Sequence, residues 1–263
     1  MAKEAWSRGD RYEPYIGRWS RLVGREFVEW IAPETGRRWL DVGCGTGSLS
    51  AVVLATAKPT SVIGVDPASG YVEYARAHVL DERVEFRVGD ARELPVADAS
   101  VDYVVCGLVL NFIPDPAAAL AEMCRVAVSG GVIAGYVWDY GQGMQLIRRF
   151  WDAAIALDPA AVDLDEAARF PLCRPGALHQ LFVDAGLADV RSRAIVVPTV
   201  FAGFEDYWIP FLGGEGPASG YCVALSDEAR EQLRLSMRAA LPVAPDGSIH
   251  LTARAWAVTA TSR

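Results

Sequence analysis

Leu40-Asp41-Val42-Gly43-Cys44-Gly45-Thr46-Gly47-Ser48 reads as a strand that runs into a glycine-rich turn and then a helix start. Glycines let the backbone turn tightly and let a ligand approach where a Cβ would block it. The helix start offers unpaired N–H groups and the positive end of the helix dipole. The chemistry expected of such a turn is the holding of a nucleotide-type ligand at the mouth of an open sheet. Three further positions agree. Asp66 ends the second apolar run, where a carboxylate can hold ribose hydroxyls. Gly89-Asp90-Ala91 ends the third, where an acid can accept from an adenine amino group. Gly107-Leu108 ends the fourth and leads into Asn111-Phe112 at the same edge.

The elements that must position these residues follow from hydrophobic periodicity. Strands are expected at Arg38–Val42, Ser61–Val65, Val84–Val88, Val101–Leu108 and Gly131–Trp138. Helices are expected between them at Ser48–Ala57, Ala68–Val79 and Asp115–Val126. Alternation of this kind implies right-handed crossovers and a parallel sheet. Pro14–Ala32 reads as a leading helix with Ile16, Trp19, Val23, Phe27, Trp30 and Ile31 facing inward. Beyond residue 140 the pattern loosens into helices at Met144–Leu157, Pro175–Ala185, Phe204–Leu212 and Asp227–Ala240. Two more strands, Val190–Val197 and Ser248–Ala260, bring the sheet to seven. The expected architecture is therefore α/β, a doubly wound, mostly parallel seven-stranded sheet with helical lid insertions. It divides a single domain (1–263) into an N-terminal helical cap (1–36) and a cofactor-binding core (37–140). Insertions at 141–172 and 199–247 form the lid, while 173–198 and 248–263 complete the sheet.

Composition narrows the function classes. The 263 residues carry a net charge of −8, and 52 % of them are apolar. That size supports a core without staples, and the charge argues against a nucleic-acid phosphate backbone as partner. No apolar run has the length of a membrane span, and the first fifteen residues lack the apolar stretch of a signal peptide. Five cysteines without a CxxC pair, and three scattered histidines, predict free thiols in a reducing cytoplasm and no metal site.

A dinucleotide fingerprint would need a third glycine at position 48, where this chain has Ser48. The D-x-G-x-G-x-G pattern from Asp41 to Gly47 instead resembles motif I of the class I S-adenosylmethionine-dependent methyltransferases. Asp66 resembles their ribose acid and Gly89-Asp90-Ala91 their adenine-binding turn. Leu94-Pro95, Val101-Asp102-Tyr103, Asn111-Phe112-Ile113-Pro114-Asp115-Pro116 and Ser129-Gly130-Gly131 resemble the small-molecule branch that includes the ubiquinone/menaquinone C-methyltransferases. The resemblance covers roughly residues 38–138. It implies a Rossmann-like methyltransferase fold with S-adenosyl-L-methionine as cofactor. Gly43, Gly45 and Ser48 would lie against the methionine moiety, and Asp41 would anchor its amino group. Asp66 would hold the ribose, Pro67 would lie against the adenine, Leu108 would lie behind the ring or the sulfonium, and Asp90 and Ala91 would bind the adenine edge. Tyr15 and Arg18 would cap the methionine carboxylate.

Methyl transfer from a sulfonium needs alignment in a dry pocket more than a dedicated catalytic group. Asn111, Asp139 and Tyr140, at the carboxyl edge, are the candidate catalytic residues. Tyr12, Trp19, Asn111, Trp138, Tyr140, Tyr207 and Trp208 are the candidate contacts to a small, neutral or apolar substrate. Phe204, Tyr207, Trp208 and Phe211 form one helical stripe that suits either a lid over that substrate or plain core. A non-catalytic cofactor-binding module and a nicotinamide-dependent oxidoreductase are the rival classes. Oligomeric state is left open.

Overall fold

The computed structural model describes residues 13–263. Tyr12, one of the expected substrate contacts, lies outside the described residues. Seven strands form one sheet in the order β3-β2-β1-β4-β5-β7-β6. They are β1 (Arg38–Val42), β2 (Ser61–Asp66), β3 (Val84–Val88), β4 (Val101–Gly107), β5 (Ala127–Trp138), β6 (Ala188–Phe201) and β7 (Ile249–Thr261). β1 to β5 pair in parallel, and β7 runs antiparallel to both β5 and β6. The central strands are covered on both faces, which is why β4 reads as an unbroken apolar run instead of an alternating one. Chain order reverses between β1 and β4, so the carboxyl ends of β2, β1 and β4 flank a crevice at the switch point.

A wide π-type turn, Glu13–Gly17, precedes helix α1 (Arg18–Ile31). Only the first part of the expected leading helix is thus non-standard. α1 buries Trp19, Val23, Phe27 and Ile31 against the sheet, with Phe27 packed on Tyr136 of β5 at 4.6 Å between ring centroids. Helices α2 (Ser48–Thr56), α3 (Ser69–His78) and α4 (Pro116–Val126) are the crossovers. Asp115 caps α4 by accepting from the Ala118 N–H at 3.0 Å, with Pro116 at the first helical position.

Past β5, α5 (Gln145–Leu157), α6 (Glu166–Arg169) and two 3₁₀ turns lead to α7 (Ala177–Asp184). Between β6 and β7 come α8 (Phe204–Trp208), a 3₁₀ turn to Gly213, α9 (Gly216–Ala224) and α10 (Asp227–Ala240). These helices pack on one another as a cap. Sequence periodicity misses α9, because Gly216-Pro217-Ala218-Ser219-Gly220 has no apolar stripe and holds two glycines and a proline, the residues least favourable to a helix. β6 is longer than the expected Val190–Val197, since β7 pairs along it from Ala188 to Phe201. No described helix is long and apolar enough to cross a membrane.

Candidate active site at the carboxyl edge

The glycine turn divides its labour. Gly43, Gly45 and Gly47 all have positive φ, at 72°, 50° and 83°. The Gly43 and Cys44 N–H groups donate to the Val65 carbonyl at 2.7 and 3.0 Å, which stitches the turn to the end of β2. A Cβ on Gly43 would lie 2.5 Å from Val109, and one on Gly47 would lie 2.9 Å from Val79. These two glycines are required by packing. A Cβ on Gly45 would meet nothing within 4 Å. Gly45 therefore faces open space, as a glycine that admits a ligand should.

Three acids expected from the sequence stand on strands β1, β2 and the turn after β3. Asp66 is 7 % exposed; one carboxylate oxygen accepts from the Gly45 N–H at 3.0 Å and the other from the Ala68 N–H at 2.9 Å. Burial pushes its carboxyl above the usual range, while these two N–H groups pull it back. Asp41 is 1 % exposed, and its Oδ2 accepts from Ser50 Oγ at 2.7 Å. Its Oδ1 is buried with no hydrogen-bond partner among the described residues. Burial raises Asp41 to about 7 against the pull of Ser50. Such an orphaned buried acceptor fits a cationic ligand group.

The third acid is held within its own turn. Asp90 is exposed, and Arg92 grips both its oxygens, at 3.0 Å through Nε and 2.7 Å through Nη2. That ion pair holds its carboxyl down at about 2. An adenine amino group would have to share Asp90 with a guanidinium. Ala91 beside it is buried, and Pro67 is exposed next to Asp66. Leu108 adopts φ 64°, rare for a branched residue, and donates its N–H to the Tyr136 carbonyl at 2.7 Å. Strain of this kind collects at functional edges. Ser48 opens α2 with its hydroxyl 3.4 Å from Thr46 Oγ1.

Beyond β4, the amide nitrogen of Asn111 is buried with no hydrogen-bond partner among the described residues. Phe112 meets Phe170 edge-on at 4.9 Å, and Tyr140 lies 6.0 Å from the same ring. Phe170 belongs to the cap and was not singled out in the sequence; no local signal marks it, because its partners lie far off along the chain. Trp138 is buried at the end of β5, paired with Ala255.

Asp139 is corrected as a candidate base. One oxygen accepts from the Gly141 and Gln142 N–H groups at 3.1 and 3.2 Å, and the other from Arg254 Nε at 2.7 Å. It fixes the turn after β5 to β7. Asp139→Asn should cost about 2–3 kcal/mol of stability, the loss expected when a largely buried ion pair is broken. S-adenosylhomocysteine affinity of the folded protein should stay unchanged. Urea unfolding and calorimetry check the two halves.

The N-terminal and lid residues pack on one another. Arg18 donates to Asp206 Oδ1 at 2.9 Å and stacks over Trp19 and Phe201, so it ties α1 to the cap. Tyr15 packs edge-on against Phe211 at 5.4 Å, and Trp19 against Phe201 at 5.3 Å. Tyr207 is buried with its hydroxyl on the Leu146 carbonyl at 2.9 Å, and Trp208 is buried beside Phe211. The aromatic stripe is the cap's own core. Within it Glu166, which accepts from Trp151 Nε1, is raised to about 8 by burial.

Comparison with known proteins agrees with this geometry. A family described as "Methyltransferase domain" matches residues 40–135. The chain is 32 % identical over 184 residues to the demethylmenaquinone methyltransferase of Roseiflexus sp. (strain RS-1), covering 64 % of this chain and 75 % of that one. It is 39 % identical over 185 residues to the demethylmenaquinone methyltransferase of Staphylococcus aureus (strain JH9), covering 65 % and 77 %. Among solved structures, the YcgJ protein from Bacillus subtilis superposes with a TM-score of 0.58 at 20 % identity, covering 94 % of this chain and 99 % of that one. Phosphoethanolamine N-methyltransferase 2 of Haemonchus contortus, in complex with phosphomonomethylethanolamine and S-adenosylhomocysteine, gives 0.59 at 18 % identity, covering 96 % and 56 %. The chain belongs to the class I S-adenosylmethionine-dependent methyltransferases. Within that class it is similar to the menaquinone group, and S-adenosylmethionine is its cofactor.

Proposed function

We propose that this methyltransferase moves a methyl group to a small, neutral or apolar molecule admitted between the carboxyl edge of the sheet and the cap. The observation that carries the reading is the contact between Gly45, open to a ligand, and Asp66, the acid that its N–H touches at 3.0 Å. When bound, S-adenosylmethionine supplies an electrophilic methyl on a sulfonium. Gly43, Gly45 and Ser48 shape the seat for its methionine part, and the free oxygen of Asp41 takes its ammonium. Asp66 holds the ribose hydroxyls; Pro67, Ala91 and Leu108 flank the ring, with Asp90 at its edge. Asn111 donates to the acceptor, and Phe112, Tyr140 and Phe170 exclude water around it. No base is assigned, because positioning alone can supply about 7–11 kcal/mol of a bimolecular barrier.

The domain division follows the same lines: core at 37–140, acceptor choice in 141–172 and 199–247. The aromatic rim, the net charge of −8 and the likeness to demethylmenaquinone methyltransferases support an uncharged acceptor. Five free thiols fit a reducing cytoplasm. The experiment is incubation with methyl-labelled donor and fractionated metabolite pools. The reading expects S-adenosylhomocysteine and a labelled neutral product; label entering only nucleic acid would sink it. On the identified acceptor, Asn111→Leu should lower kcat/KM about 5- to 150-fold, the worth of about 1–3 kcal/mol for one buried donor. S-adenosylhomocysteine affinity should stay within twofold, and an equal loss there would remove Asn111 from acceptor binding.

A further inference from the structure

Glu13 has no counterpart among the residues assigned above, yet it lies on the glycine turn. Its Oε1 accepts from Thr46 Oγ1 at 2.8 Å and from Ser48 Oγ at 3.4 Å. Thr46 directly follows the open glycine, and Ser48 opens α2. Its Oε2 pairs with Arg21 of α1, whose side chain is 50 % exposed against 18 % for Glu13. The carboxylate is thus held from both sides, by two hydroxyls of the turn and by one guanidinium.

The chain makes room for this arrangement. Gly17 has an ordinary helical φ of −56°, so no backbone requirement explains a glycine there. A Cβ at Gly17 would lie 2.6 Å from Glu13 Oε2 and 2.8 Å from its carboxyl carbon. The glycine lets the carboxylate fold back over the π-type turn. π-type turns themselves are rare and concentrate at functional positions.

Glu13 and Arg21 together present one fixed anion and one half-exposed cation at the rim of the turn. That pattern is complementary to an amino-acid zwitterion, whose ammonium seeks the carboxylate and whose carboxylate seeks the guanidinium. We infer that Glu13 is a binding residue for the α-ammonium of the cofactor's methionine tail, with Arg21 facing the neighbouring carboxylate. This rests on the cofactor seat proposed above. Asp41 approaches the ammonium from the strand side, and Glu13 closes over it from the N-terminal segment.

The test is calorimetric binding of S-adenosylhomocysteine and of its deamino analogue to the full chain, as wild type, Glu13→Gln and Gly17→Ala. Wild type is expected to prefer the amino compound at least tenfold. Both variants should lose most of that preference while the deamino compound binds within about threefold of wild type. Thermal midpoints of the variants report that the fold is kept. Unchanged preference in Glu13→Gln would overturn the inference and leave the seat intact. Tighter binding of S-adenosylhomocysteine by Glu13→Gln would also overturn it, since Glu13 would then be a plug. A wild-type chain that binds neither compound would overturn the seat itself.

Discussion

Asp66→Ala should lower S-adenosylhomocysteine affinity by at least a hundredfold while the protein stays folded. Two hydrogen bonds from ribose hydroxyls to an ionised carboxylate are worth about 1.5–3 kcal/mol each, so their sum is about two to four orders of magnitude in affinity. The cost to the fold is smaller because two effects oppose each other. Removal leaves the Gly45 and Ala68 N–H groups without their acceptor, which costs about 1–3 kcal/mol for each one that water cannot reach. It also relieves the burial that pushes this carboxyl up. Asp66→Asn keeps an acceptor and separates the two effects. It should recover most of the stability and little of the affinity. Calorimetry and urea unfolding on both variants decide it, and an affinity within threefold of wild type would remove Asp66 from the ribose.

Gly43→Ala should damage the fold, where the same change at Gly45 should not. At Gly43 a methyl would run into the whole side chain of Val109, with approaches of 2.5, 2.6 and 2.8 Å, at a φ of 72°. Left-handed backbone costs a non-glycine residue about 1–2 kcal/mol, and overpacking adds about 1–3 kcal/mol. A loss of about 2–5 kcal/mol is expected. That is a large share of the stability of an ordinary domain. Val109→Ala in the same chain removes the two γ-methyl approaches at 2.5 and 2.6 Å and leaves the Cβ approach at 2.8 Å, so it should restore part of the packing loss and the two changes should couple in a double-mutant cycle. Additive effects would mean that Val109 is not what fills the space over Gly43.

The parts of the site written in contiguous residues were readable in advance. Strand, glycine turn and helix over 40–48, the acid ending β2 and the turn after β3 each rest on local chemistry, and the seven strands follow from short apolar runs between turns. The partners of several side chains were not readable, because they come from far along the chain. Arg18 finds Asp206, 188 residues away, and Asp139 finds Arg254 at a separation of 115. A lone arginine near a ligand site and an acid at a strand end look functional until those partners appear. The stripe of Phe204, Tyr207, Trp208 and Phe211 suited lid or core equally, since periodicity shows which face is buried and not what covers it. Phe170 and Glu13 were invisible for the same reason.

The central claim is that the crevice between β2, β1 and β4 seats S-adenosylmethionine with Gly45 against it. Titration of Gly45→Ala with S-adenosylhomocysteine tests this most directly, because a methyl there touches no atom of the described residues within 4 Å. The variant should keep its secondary structure and lose about 1–2 kcal/mol of stability from the left-handed φ alone, while affinity falls at least thirtyfold. A folded Gly45→Ala that binds S-adenosylhomocysteine as tightly as wild type would contradict the account.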